Sequence, residues 1–293
     1  MGFLSIFKTK IKDDIDIKRN KKVKLGLALG GGATRGYGHI GALKAFEEYG
    51  IKFDYVAGTS VGSLVGALYC AGLSCEQIYD IGMDITEKEI KTSKIIFVPS
   101  KATGIQNIVR KAVGDISFDD LKIPFCAVAV DLISGEEIRI TKGNLATAVS
   151  GSCAVPGVFA PVEFENMHLA DGGLQNNIPA DIPRLNDCDY VIAVDVNSTR
   201  GEGTNSLTLV DTLLASLRIL MKSNSVKGYI NSDLVIKPDL KRYKSTKTEG
   251  KEEMVEEGYL ATIEKIPEIL KLISKKPTKK KKANQLIKAK NKV

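Results

Sequence analysis

Three short stretches carry residue types whose spacing can do acyl-transfer chemistry. The first is Gly58-Thr59-Ser60-Val61-Gly62. A serine on a sharp turn between a strand and a helix holds its hydroxyl above the sheet edge, where an ester can reach it. Such a turn leaves no room for side chains two residues to either side, and Gly58 and Gly62 meet that need. The following helix N-terminus favours negative charge that develops beside Ser60. The bland reading of the same five residues is a tight helix start capped by Ser60.

A nucleophilic serine needs a base. The chain has two histidines, His39 and His168. His39 falls on the first turn of a helix, where packing or capping would occupy it. His168 precedes Asp171 by three, and alternation along a strand sets the two on opposite faces. Asp171-Gly172-Gly173 is the better candidate: an aspartate at a strand end, followed by two glycines that let the chain turn away and leave the carboxylate open. A carboxylate within hydrogen-bond reach of a serine hydroxyl can take its proton directly. In isolation, Asp-Gly-Gly is also a common surface turn.

The third stretch is Gly30-Gly-Gly-Ala-Thr-Arg-Gly36, running on to His39-Ile-Gly41. Attack on an ester creates an oxyanion, which backbone N–H groups at a helix start can stabilise. A phosphate-binding P-loop reading fails because the Lys-Ser/Thr pair is missing. A dinucleotide fingerprint fails because position 35 is arginine.

The elements that must position these residues are legible in outline. Val23–Leu29 is an apolar run ending in the glycines, and helical spacing follows over Ile40–Tyr49, closed by Gly50. Phe53–Ala57 feeds the Ser60 turn, and a helix runs from about Val61 to Ala71. Two strand–glycine turn–helix units in 72 residues predict a parallel sheet covered by helices. Residues 74–122 read as mainly helical, with breaks at Pro99, Gly104 and Gly114. Strands are expected at Pro124–Asp131, at an exposed Glu136–Thr141, at Tyr190–Val196 and at Leu234–Ile236. Helices are expected after Asn144, over Leu207–Met221 and over 252–273.

Taken in order, Gly30-Gly31-Gly32-x-x-Arg35-Gly36, Gly58-x-Ser60-x-Gly62 and Asp171-Gly172-Gly173 resemble the patatin-like phospholipase family, over about residues 24–195. His39-Ile40-Gly41 and Asn177-x-Pro179 resemble that family's flanking residues. The resemblance implies a three-layer α/β/α fold with a mostly parallel central sheet. It also implies a Ser60–Asp171 dyad acting through an acyl-enzyme, and an oxyanion hole at the amides of Gly31, Gly32 and Ala33. By the same resemblance Gly30, Arg35, Gly58, Gly62, Gly172 and Gly173 would be supporting residues, and Arg35 would position the loop or meet an anionic lipid. The implied substrate is a phospholipid or lysophospholipid ester, with no cofactor and no calcium. One departure is Ala33, where many relatives carry glycine. Two other functions stay open: a non-catalytic lipid-binding protein on this scaffold, and a histidine-dependent α/β-hydrolase esterase.

Charge divides the chain in three. Residues 275–293 hold nine lysines and no acid, and residues 1–24 hold eight basic residues against three acids. Residues 25–274 hold 25 basic and 32 acidic residues, so the expected folded body is acidic. Nucleic-acid binding is not expected, because its charge would lie across the folded surface. The basic ends suit an anionic membrane surface. We expect an amphipathic segment over 1–22, a catalytic domain over 23–274 and a disordered lysine-rich tail. Five scattered cysteines without metal-ligand spacing read as reduced, buried thiols. No metal site is expected, and the chain reads as cytoplasmic, with its ends suited to the inner membrane face.

Overall fold

The computed structural model describes residues 23–86, 102–197, 208–243 and 249–274. The expected segment 1–22, the tail 275–293 and Pro99 lie outside the described residues.

Strands β1 (Leu25–Leu29), β2 (Tyr55–Thr59), β3 (Phe125–Asp131), β7 (Tyr190–Val194) and β8 (Leu234–Ile236) form a parallel sheet in the order β3-β2-β1-β7-β8. β1, β3 and β7 are buried along their whole length. This is why they read as unbroken apolar runs: a parallel sheet covered on both faces leaves no strand face for water. Alternate residues of β1 serve different cores. Leu25, Leu27 and Leu29 join the large cluster beneath α1 (Tyr37–Glu48) and α2 (Val61–Cys70), while Ala28 packs on the other face with Ile178, Ala180 and Ala193. The small residues on that second face let the chain around Ile178 and Ile182 lie close to the sheet. The fold is therefore three-layered, as expected.

Antiparallel strands β4 (Glu137–Ile140), β5 (Val162–Phe164) and β6 (Met167–Asp171) complete the sheet around β3. β5 has only three residues, too few for alternation to reveal it in the sequence. β4 was expected to be exposed, but it is half-buried, with Ile140 in the core. Its Arg139 meets Asp181 at 2.9 Å, and its Glu137 meets Lys227 at 2.7 Å.

The other α-helices among the described residues are α3 (Cys75–Asp84), α4 (Thr103–Val113), α5 (Leu145–Ser152), the short α6 (Asp181–Leu185), α7 (Leu209–Asn231) and α8 (Lys251–Ile273). Asn144 caps α5 by accepting from the Thr147 amide at 2.9 Å. Gly104 lies within α4 rather than breaking it, whereas Gly114 ends it. The helix expected over Leu207–Met221 instead reaches Asn231. Its second half contains Ser223, Ser225 and Gly228, which weaken any helical pattern. Tertiary contacts hold it: Asn224 donates to Leu174 O at 2.6 Å, Asn177 donates to Ser225 Oγ at 3.1 Å, and Gly228 lies against Ile178. All five cysteines are buried and unbridged.

Candidate active site

The site forms where two strands end against a third. Thr59 of β2 pairs with Val128 of β3, and Arg139 of β4 faces Val128 from the other side. One rung on, Ala129 pairs with Asp171 of β6, and again with β4 from the other side. Since β4 occupies one edge of β3 throughout, β2 and β6 must share the opposite edge. β2 runs parallel to β3 and β6 antiparallel, so their C-terminal ends meet head to head. Ser60 and Asp171, 111 positions apart in the chain, are thereby brought together, and both line one cavity.

Ser60 sits at φ 55°, ψ −129°, a conformation rarely adopted by a residue with a side chain. Holding it there costs about 1–3 kcal/mol and needs support from its surroundings. The Ser60 amide donates to Ser152 Oγ at 3.0 Å, and Ser152 Oγ donates to Val128 O at 2.5 Å, which closes the gap between the two strand ends. The Ser60 carbonyl accepts from the Ser63 hydroxyl at 2.7 Å. Gly58 and Gly62 are where the turn needs them: a Cβ on Gly58 would lie 2.4 Å from Gly62 O, and one on Gly62 would lie 2.2 Å from Leu29 O.

Asp171 is wholly buried. Its Oδ1 accepts from the Gly173 amide at 2.8 Å, while its Oδ2 is buried without a hydrogen-bond partner. Burial pushes its pKa from 3.8 to about 6, held down in part by the Ser60 hydroxyl and the Gly173 amide. The nearby Ser60 hydroxyl thus favours the ionised carboxylate without forming a Ser60–Asp171 hydrogen bond. Gly172 passes close over Val128 O, and Gly173 packs beneath the Met221 methyl. The Cys153 thiol beside this pair is raised well above its ordinary value, chiefly by burial and then by the Asp171 charge. It stays protonated and does not compete as a nucleophile.

The glycine loop divides its amides. Gly30 donates to Val194 O and Gly31 to Asn177 O, each at 3.0 Å. Of the three amides expected to meet an oxyanion, that of Gly31 is thus already engaged in holding the loop to the scaffold. The amides of Gly32 and Ala33 make no hydrogen bond among the described residues, and both residues line the cavity. Ala33 takes φ 50°, so alanine here bears a left-handed strain that glycine would not. His39 is buried beneath the loop, and its Nε2–H donates to Gly30 O at 2.7 Å. Burial lowers its pKa to about 4, so the ring is neutral. Arg35 is 3% exposed and donates to Tyr243 O and Asn197 Oδ1. It braces the loop, and the expectation that it meets an anionic lipid finds no support in so buried a side chain. His168 is exposed on β6, away from the site.

The cavity measures about 360 Å³ and is walled mainly by aliphatic side chains. Leu64 and Leu68 of α2, Ile78 of α3, and Ile105 and Ile108 of α4 line it. Leu217, Arg218 and Met221 of α7 also line it, and the Met221 methyl lies against Gly173, next to Asp171. Sequence reading missed Ser152 and these α7 residues; only Asn177, through its flanking motif, had left a signal.

Residues 27–184 match the sequence profile described as Patatin-like phospholipase, which covers more than half of the chain. The chain belongs to the patatin-like phospholipase family. Its relatives include an uncharacterized NTE family protein of Mycobacterium bovis, 35% identical over 62% of this chain and 52% of that protein. Another is Lysophospholipase NTE1 of Candida albicans, 27% identical over 71% of this chain and 15% of that protein. The chain thus spans about half the length of the mycobacterial relative. Among solved structures, VipD from Legionella pneumophila shares the fold, with a TM-score of 0.59 at 13% identity, over 83% of this chain and 66% of that one. In this patatin-like chain, no helix among the described residues is long and apolar enough to cross a membrane.

Proposed function

We propose that this patatin-like protein is a serine acyl hydrolase that cleaves lipid carboxylic esters. The observation that carries the reading is the head-to-head meeting of β2 and β6 on one edge of β3, which sets a strained serine beside a buried carboxylate in an apolar cavity. Asp171 takes the Ser60 proton as Oγ attacks the ester carbonyl. The oxyanion forms against the Gly32 and Ala33 amides, within the positive field at the start of α2. On collapse, the C–O bond breaks and the alcohol leaves with the proton from Asp171, while the acyl group stays esterified to Ser60. Water then repeats the sequence: Asp171 takes its proton, the carbonyl is attacked, and the fatty acid departs as the proton returns to Ser60.

The aliphatic walls suit an acyl chain, and the lysophospholipase named among the relatives makes a phospholipid or lysophospholipid the favoured substrate. Leu213, Ile219 and Leu220 are 48, 72 and 45% exposed on the same helix whose inner face closes the cavity. A lipid surface would cover such residues while delivering substrate to the cavity. The basic segments 1–22 and 275–293 would add attraction to anionic bilayers.

The test is acyl-ester turnover with labelling by a fluorophosphonate probe. Wild-type protein is labelled at Ser60 and hydrolyses a nitrophenyl ester. Ser60→Ala and Asp171→Asn each lose on the order of 10³-fold or more in kcat, while His168→Ala retains activity. Full activity in Asp171→Asn would remove Asp171 as the base, and an unlabelled wild type would leave a lipid-binding scaffold.

A further inference from the structure

The cavity wall carries one side chain that an acyl chain does not need. Arg218 lies on α7, one turn before Met221, whose methyl packs over Gly173 beside Asp171. That turn amounts to about 4.5 Å along the helix axis. Among the described residues lining the cavity, Arg218 alone carries a positive charge. It is partly buried, and among the described residues it has no hydrogen bond or ion pair. It is not a counterion to Asp171, whose shift is accounted for by burial, Ser60 and the Gly173 amide. Arg35, the basic residue of the glycine loop, is already committed to Tyr243 and Asn197. The cavity wall is thus mixed: aliphatic residues of α2, α3 and α4 line it together with an unpaired guanidinium on α7, the helix whose Met221 lies against Gly173 beside Asp171.

A cation left unpaired against an apolar wall is costly unless an anion completes it. A guanidinium fits a phosphate with two parallel hydrogen bonds, and a partly dry setting strengthens them. In a glycerophospholipid, the phosphodiester follows the scissile ester by the length of the glycerol backbone, on the side away from the acyl chain. We propose that Arg218 binds the phosphodiester of the lipid headgroup and so selects phosphate-bearing esters over neutral acylglycerols. The proposal rests on the hydrolase reading and adds to it a specificity-determining residue outside the catalytic dyad and the glycine loop.

Two measurements on the full-length chain separate the claims. The first uses 1-decanoyl lysophosphatidylglycerol and 1-decanoyl glycerol, which share one acyl ester and differ in the phosphate headgroup. Wild-type protein should favour the phosphate-bearing ester. In Arg218→Gln, the ratio of kcat/KM for the two esters should fall at least about tenfold, as expected for one charge-assisted hydrogen bond. The loss should lie mainly in KM, and Arg218→Lys should fall between. The second measures binding of both lipids to Ser60→Ala protein with and without Arg218→Gln, which needs no turnover. There, affinity for the lysophospholipid should drop about tenfold relative to the acylglycerol. An unchanged ratio in both measurements, or an equal loss on both lipids, overturns the role of Arg218. Wild-type protein that binds with this preference but hydrolyses neither ester overturns the hydrolase reading and leaves Arg218 standing.

Discussion

Replacing Asp171 by asparagine should make the protein more stable while abolishing turnover. The carboxylate is wholly buried, accepts from the Gly173 amide through Oδ1, and has no partner at Oδ2. Its pKa stands near 6 instead of 3.8. The native state therefore binds this proton more tightly than the unfolded chain does, and above pH 6 folding must bury the charged form. The difference between 3.8 and about 6 amounts to on the order of 3 kcal/mol. Asparagine keeps the acceptor for Gly173, places a donor where Oδ2 stood and carries no charge to bury. At pH 7.5, Asp171→Asn should gain roughly that amount, or some 5–10 °C in Tm for a chain of this size. The gain should shrink as pH falls through 6 and vanish below about pH 4, where the wild-type carboxyl is protonated in both states. Urea denaturation of both proteins from pH 4 to 8 measures this directly. A variant that is less stable at pH 7.5, or whose advantage does not change with pH, would refute the argument that burial of the charge sets the cost.

The same pKa predicts catalysis. Because the base must be ionised, kcat/KM on a neutral nitrophenyl ester should rise with pH through an inflection near 6 and fall about tenfold per pH unit well below it; a flat profile from pH 5 to 8 would exclude Asp171 as the base. His39 should act on stability in the opposite sense. Its pKa drops from 6.5 to about 4 on burial, so its contribution is intact above pH 6.5 and is lost as pH falls toward 4, on the order of 3 kcal/mol in all. Comparing Asp171→Asn with and without His39→Gln by denaturation across that range isolates the effect, and a matching acid sensitivity in the two would exclude it. Leu64, one helical turn beyond Ser60, walls the cavity near the scissile bond. Leu64→Trp should lower hydrolysis of decanoyl relative to butyryl esters by about tenfold, read as a ratio of kcat/KM; an unchanged ratio would place the acyl chain elsewhere.

What could be read in the sequence was what is encoded locally. The Ser60 turn announces itself because Gly58 and Gly62 must clear backbone within 2.4 Å, and Asp171 because its strand and glycines adjoin it. Ser152 went unnoticed because its task is set by partners 92 and 24 residues away, the Ser60 amide and Val128 O. The second half of α7 was hidden for a similar reason: serines and a glycine suit its contacts with Asn177 and Ile178 better than they suit a helix. The engagement of the Gly31 amide could not be foreseen either, since its acceptor, Asn177 O, belongs to a loop that only the fold brings near.

The same geometry explains how the proposed chemistry proceeds without an imidazole. In a histidine-dependent hydrolase, the ring spans the space between hydroxyl and carboxylate, so the two need not be neighbours. Here neither histidine can span it: His168 is exposed on β6, and His39 is held beneath the loop by Gly30 O. Two strand ends abutting on one edge of β3 leave no such space to fill. In the proposed chemistry the carboxylate then acts alone, and a carboxylate at its ordinary pKa is a poor proton acceptor near neutrality. Burial corrects this by raising Asp171 to about 6, which is also what makes it costly to the fold. The stability gained in Asp171→Asn and the activity lost in it are therefore expected to share one origin.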